Sequence, residues 1–140
     1  MPLTYQLDPT RRLVTCTGQG AVTGEEVAAL VTALRATPGF DASCRQFWDL
    51  AGVTQIPIAF QDMMWLTGAE IFSSDSKRAY FAPADAVFGT ARMLAMVQEA
   101  KGEKGSQVFR ERAAALAWLG LSELSSTVRE PRADSLAQAV

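Results

Sequence analysis

The sequence predicts a single α/β domain: a mixed, mostly parallel sheet that opens with a β-hairpin and carries about four helices. Three observations predict it. The chain begins with two short apolar/polar runs joined by a proline turn. From residue 23 onward, segments with helical spacing of apolar residues alternate with short aromatic or β-branched runs. That order calls for parallel pairing through right-handed crossovers. A length of 140 residues also suits one core, and burying about 65–70% of the unfolded surface leaves no need for disulfides or metal.

The elements follow in order. Residues 3–8, LTYQLD, alternate as a half-buried strand does, and Asp8-Pro9-Thr10 is a turn in which proline presets the bend. Residues 12–17, RLVTCT, make the second strand, after which Gly18 and Gly20 loosen the chain. Thr23-Gly24-Glu25-Glu26 is a capping box that starts a helix. Val27, Leu30, Val31 and Leu34 give that helix one apolar face, and Pro38-Gly39 ends it. Residues 46–50, QFWDL, read as a short central strand that breaks at Asp49, and Pro57 leads into a second helix over residues 59–72. A strand at 77–82 precedes a third helix opened by Pro83-Ala84-Asp85, with Val87, Ala91, Leu94 and Ala95 on one side. Residues 101–105 form an exposed turn, 107–110 a last strand and 111–119 a last helix. The domain is therefore expected over residues 1–121, with a polar, proline-interrupted tail over 122–140.

Composition narrows the function classes. Thirteen Lys plus Arg against 15 Asp plus Glu give a net charge of −2, without the basic stripe of a nucleic-acid binder. No basic run exceeds Arg11-Arg12, and no stretch of eighteen apolar residues occurs, so membrane insertion is not expected. The start of the chain has no apolar signal core, which points to the cytoplasm. There is no histidine, and Cys16 and Cys44 lack metal-site spacing, so they read as buried reduced thiols and no cofactor is expected.

The stretch Asp49-Leu50-Ala51-Gly52-Val53, with Thr54-Gln55-Ile56 after it, resembles the STAS family, the SpoIIAA-like fold of anti-sigma factor antagonists. In that family a strand ends in Asp-Leu-Ser-Gly-Val, and an Asp-Ser-Ser/Thr-Gly then begins a helix. The element order fits as well, over about residues 3–120. The opening LTYQLDPTRRLVTCTGQG and the later FAPADAVFGTARM are similar to a bacterial SpoIIAA-like subgroup, many of whose members have no assigned function. The resemblance implies a regulatory protein-interaction module.

One departure bears on mechanism. Where the family places its phosphorylatable serine, this chain has Pro57, Ile58 and Ala59, then Phe60 in place of glycine. None accepts phosphate, so a switch that works by adding about −1.5 to −2 charge there does not carry over. Ser73, Ser74 and Ser76 fall at the far end of the predicted helix, where its dipole disfavours a phosphate.

Ligands of parallel sheets gather at the carboxyl ends of the strands, which places the loops 18–24, 49–58 and 83–85 together. Asp49 and Asp85 there suggest an acid/base pair; the plainer reading makes Asp49 a turn residue and Asp85 a helix N-terminal charge. Without histidine, activated nucleophile or metal set, an enzyme is not expected. Gly18-Gln19-Gly20 is too incomplete for a phosphate loop.

The segment AFQDMMWLTGAEIF, residues 59–72, has more large apolar side chains than one buried stripe needs. Either all are core, or some form a pliable contact surface. The expected partner surface is Thr54, Gln55, Ile56, Pro57, Phe60, Met63 and Met64, binding a protein partner or a second copy as a homodimer. The alternative is a small apolar ligand or lipid, held in a Sec14-like pocket lined by Trp48, Asp49, Met64, Phe81 and Asp85.

Overall fold

A computed structural model of the chain describes residues 3–58, 76–102 and 104–121. Five strands form one sheet in the order β1-β2-β3-β4-β5: Leu3–Asp8, Leu13–Ala21, Arg45–Gln55, Arg78–Phe81 and Ser106–Phe109. β1 runs antiparallel to β2, and every later pairing is parallel. The three helices among the described residues are α1 (Gly24–Arg35), α2 (Asp85–Ala100) and α3 (Arg112–Trp118). The helix expected over residues 59–72 and the tail expected from residue 122 lie outside the described residues.

The hairpin forms where the sequence places it. Asp8 Oδ1 accepts the Arg11 backbone N–H at 3.2 Å, and Arg12 takes the left-handed conformation at φ 53° to bring β2 back. The Arg12 guanidinium then reaches Asp41 at 3.0 Å and also bonds Ser43, which ties the hairpin to the approach of β3. Bonds from the Ser43 side chain and backbone, helped by the charge of Arg12, hold the Asp41 carboxyl below the ordinary aspartate range. At α1, both hydrogen bonds of the capping box are present: Thr23 Oγ1 accepts the Glu26 N–H at 3.2 Å, and Glu26 Oε1 accepts the Thr23 N–H at 2.8 Å.

The sheet carries a core on each face. On one, Val14, Cys16, Trp48, Leu50 and Tyr80 pack under Leu30 and Leu34 of α1 and Val87 and Ala91 of α2. On the other, Leu13, Phe47 and Ala79 pack under Ala115 and Leu116 of α3. Successive strands add in one direction, so right-handed crossovers bring α1 and α2 to the same side. α3 follows the last strand and folds back over the opposite side.

Two strands run further than the sequence suggests. β2 passes through Gly18 and Gly20 to Ala21, and β3 passes through Asp49 and Gly52 to Gln55. The expected break at Asp49 is instead a pair of register shifts against β2, between Thr17 and Gln19 and between Gly20 and Ala21, each leaving an extra residue on β3. The first shift returns Val53 to the face of Leu50, three residues earlier, and both side chains are buried in the same core. Glycine serves this crossing: a Cβ on Gly18 would lie 2.7 Å from Val53 Cγ2, and one on Gly52 would lie 3.1 Å from the Gly18 carbonyl oxygen.

Candidate functional site

The two aspartates singled out above lie near the level of the carboxyl ends of β4 and β5, Asp49 midway along β3 and Asp85 at the start of α2. They do not form a pair with each other; each has its own arginine. Arg112 Nη1 donates to Asp49 Oδ2 at 2.8 Å, and Arg110 Nη1 donates to Asp85 Oδ1 at 2.6 Å. Both arginines lie within three residues of the end of β5, so one short connection holds both carboxylates. Asp49 Oδ1 also accepts the Ala51 backbone N–H at 3.1 Å, the loop-amide role expected of a turn residue. Asp85 sits in the first turn of α2, where a carboxylate suits the helix dipole. Stacking of Arg110 on the Phe88 ring, 4.1 Å from the centroid, fixes the second guanidinium. The Asp49–Arg112 pair is mostly out of solvent, whereas the Asp85–Arg110 pair lies at the surface, with 93% of the Asp85 side chain exposed.

The pocket residues separate. Trp48 pairs across the sheet with Tyr80 on the face under α1 and α2, and their ring centroids lie 5.9 Å apart. Phe81 is the next residue along β4 and packs on the opposite face, against the core under α3. Strand alternation therefore prevents Trp48 and Phe81 from lining one cavity, a correction to the pocket expected from the sequence. Met64, the pocket's remaining apolar member, lies outside the described residues.

Of the expected partner surface, Thr54, Gln55 and Pro57 are exposed, while Ile56 is half-buried against the core. Phe60, Met63 and Met64 lie outside the described residues. β3 pairs with β4 only from Gln46 to Asp49, so beyond Asp49 it pairs, among the described residues, with β2 alone. The end of β3 thus stands past its shorter neighbour. Ser76 is not an acceptor for a modifying group: it is buried, and its hydroxyl donates to the Cys44 carbonyl at 2.7 Å.

The sequence reading missed a polar row at the opposite ends of the strands, in which Gln46 and Arg78 are buried and Ser106 is half-buried. Gln46, Arg78 and Ser106 align across β3, β4 and β5 on the face under α2. Gln46 Oε1 accepts the Trp48 indole N–H at 2.9 Å. Ser106 Oγ donates to Gln98 Oε1 at 2.6 Å, and the Gln98 amide donates to the Tyr80 hydroxyl at 3.1 Å. Its signal in the sequence was a polar residue two positions before an aromatic in both β3 and β4, a spacing that keeps the two on one face.

Both cysteines are buried and unbridged. Cys16 pairs with Trp48 in the β2–β3 register, four residues beyond Cys44 along β3, a separation of roughly 13 Å that no disulfide spans. Burial pushes the Cys16 thiol well above its ordinary value. Among the described residues, no three His, Cys, Asp or Glu side chains gather as a metal site, and no helix is long and apolar enough to cross a membrane.

Comparison with solved structures places this architecture. The chain is similar in structure to an uncharacterized protein of the DUF3478 family from Shewanella loihica PV-4, described as having a SpoIIAA-like fold. The match has a TM-score of 0.54 at 13% sequence identity and covers 84% of this chain and 93% of the other. The fold is SpoIIAA-like. No family model matches the chain, and no curated protein matches it in sequence.

Proposed function

We propose that the chain is a non-enzymatic, STAS-like regulatory module that binds a protein partner at the projecting end of β3 and the segment after it, residues 54–58. The observation that carries this reading is the length of β3: it runs six residues past the last one paired with β4, and Thr54, Gln55 and Pro57 are exposed there. An exposed strand end offers backbone donors and acceptors to a partner, with side-chain contacts adding selectivity. The Asp49–Arg112 pair supports the same reading, because it engages the Asp49 carboxylate in holding α3 to the sheet. Pro57 and Ile58 replace the family's phosphoacceptor region, so binding here does not depend on phosphate at that position.

Native mass spectrometry of the full chain isolated from its own host tests the proposal. The expected species is the unphosphorylated chain in complex with another protein, lost in the double variant Thr54→Lys/Gln55→Lys. A chain that carries a retained small molecule instead, or a complex indifferent to that variant, overturns it.

A further inference from the structure

The outer face of α2 has a pattern that the other described residues do not use. Ala86, Gly89, Met93, Met96 and Ala100 recur at spacings of three, four, three and four, the a/d seam of a heptad. All five are exposed, and Met93 and Met96, at 49% and 63%, are the exposed large hydrophobics among the described residues. The sheet-facing residues Val87 and Ala91 occupy the other side of the helix. A methionine-centred seam facing solvent suits an adaptable apolar contact.

Gly89 adds to this. In a helix interior glycine costs roughly 0.5–1 kcal/mol relative to alanine. A Cβ at Gly89 would meet nothing within 4 Å among the described residues, so no packing they make requires its absence. Close approach of another backbone to this turn of α2 does require a small residue.

The charges choose the partner. The charged residues of α2 are Asp85, Arg92 and Glu99, every seventh position along one border of the seam. Asp85 is held by Arg110, while Arg92 and Glu99 take part in no ion pair among the described residues. Setting α2 antiparallel against a second α2 about a two-fold axis places Met93 opposite the copy's Met96 and Gly89 opposite its Ala100. The same alignment puts Arg92 beside the copy's Glu99, twice by symmetry. A parallel pairing sets like charges at equal height and loses that match.

We propose that the chain forms a homodimer through this antiparallel contact of α2 with α2 of a second copy. The inference names an interface distinct from the end of β3 and stands independently of the reading above. A single pair of four-turn helices buries on the order of 1,000 Å² in total, near the lower bound for specific interfaces, so a reversible dimer is expected.

Sedimentation velocity on the full chain, from about 1 to 500 μM, reads the equilibrium across the reversible range. A monomer–dimer equilibrium is expected. Met93→Lys/Met96→Lys should be monomeric with an unchanged circular dichroism spectrum. Arg92→Glu should weaken association about tenfold or more, and Arg92→Glu/Glu99→Arg should restore it to within about threefold. A wild-type monomer at every concentration, as would follow if residues 122–140 covered the seam, overturns the proposal. So does a dimer that survives the lysine pair, or a charge reversal that fails to rescue. Loss of partner binding in the residue 54/55 variant, with this equilibrium unchanged, separates the two surfaces.

Discussion

Arg112 and Asp49 meet at 2.8 Å between the first turn of the last helix and the middle of the central strand, with both side chains mostly out of solvent. The Arg112 guanidinium also lies over the Phe47 ring, 5.1 Å from its centroid. α3 has only seven residues, too few to be stable by itself, so this bond and the apolar contacts beneath it hold the helix to the sheet.

Removing either partner should therefore loosen α3 without abolishing the fold. Asp49→Ala and Arg112→Ala are each expected to cost about 1–3 kcal/mol, because a half-buried charged hydrogen bond is lost and its partner stranded. A double-mutant cycle read by urea denaturation should give a favourable coupling of about 1 kcal/mol. A coupling near zero would make the pair incidental.

The glycines separate by surroundings. A Cβ on Gly105 would lie 2.0 Å from the Ser76 carbonyl oxygen, where backbone cannot yield cheaply. Gly105→Ala is expected to destabilise by about 3 kcal/mol or more, Gly18→Ala by about 1–3 as Val53 is displaced. Gly89→Ala should raise the melting temperature of the monomer, since that Cβ would meet no atom of the described residues within 4 Å. Thermal unfolding of the three variants at low concentration checks the order.

Asp41 gives a pH dependence with a definite sign. Its folded carboxyl titrates below the ordinary value of 3.8, so its stabilisation is present above that value and is lost as pH falls through the folded one. Asp41→Asn should lower the urea midpoint at neutral pH, and the gap from wild type should close as the solution is acidified below about pH 4. A gap that stays constant with pH would show that the charge of Asp41 is not what stabilises the hairpin.

Both thiols should resist modification in the folded state. Cys16 and Cys44 are fully buried, and the Cys16 thiolate is further disfavoured by burial. An aromatic disulfide reagent should titrate both thiols in denaturant but react under native conditions only as fast as the chain opens. Rapid native labelling of either would contradict the described packing.

Much of the fold was legible because each local signal agreed with the sheet. The turn at Asp8-Pro9, the capping box at Thr23 and Glu26, and the apolar positions of α1 and α2 all fall where the sequence places them. Asp49 and Gly52 misled, since an aspartate and a glycine in a short aromatic strand look like its end. Only the tertiary pairing shows that two extra residues are absorbed as register shifts and the strand continues. The Asp49–Asp85 pairing failed for a related reason: Arg110 and Arg112 come from a segment more than twenty residues further on, and no local pattern ties them to either carboxylate. The heptad on α2 was in the sequence throughout, but the spacing alone does not tell a buried face from an exposed one.

The spatial order of the strands repeats the order in which they are made. As the chain leaves the ribosome, each new strand finds its neighbour already synthesised. The face under α3 is the exception: Leu13, Phe47 and Ala79 stay open until residues 112–121 are made. Assembly can advance outward from the opening hairpin like courses of brick, with the seven-residue cap over the far face set in place last.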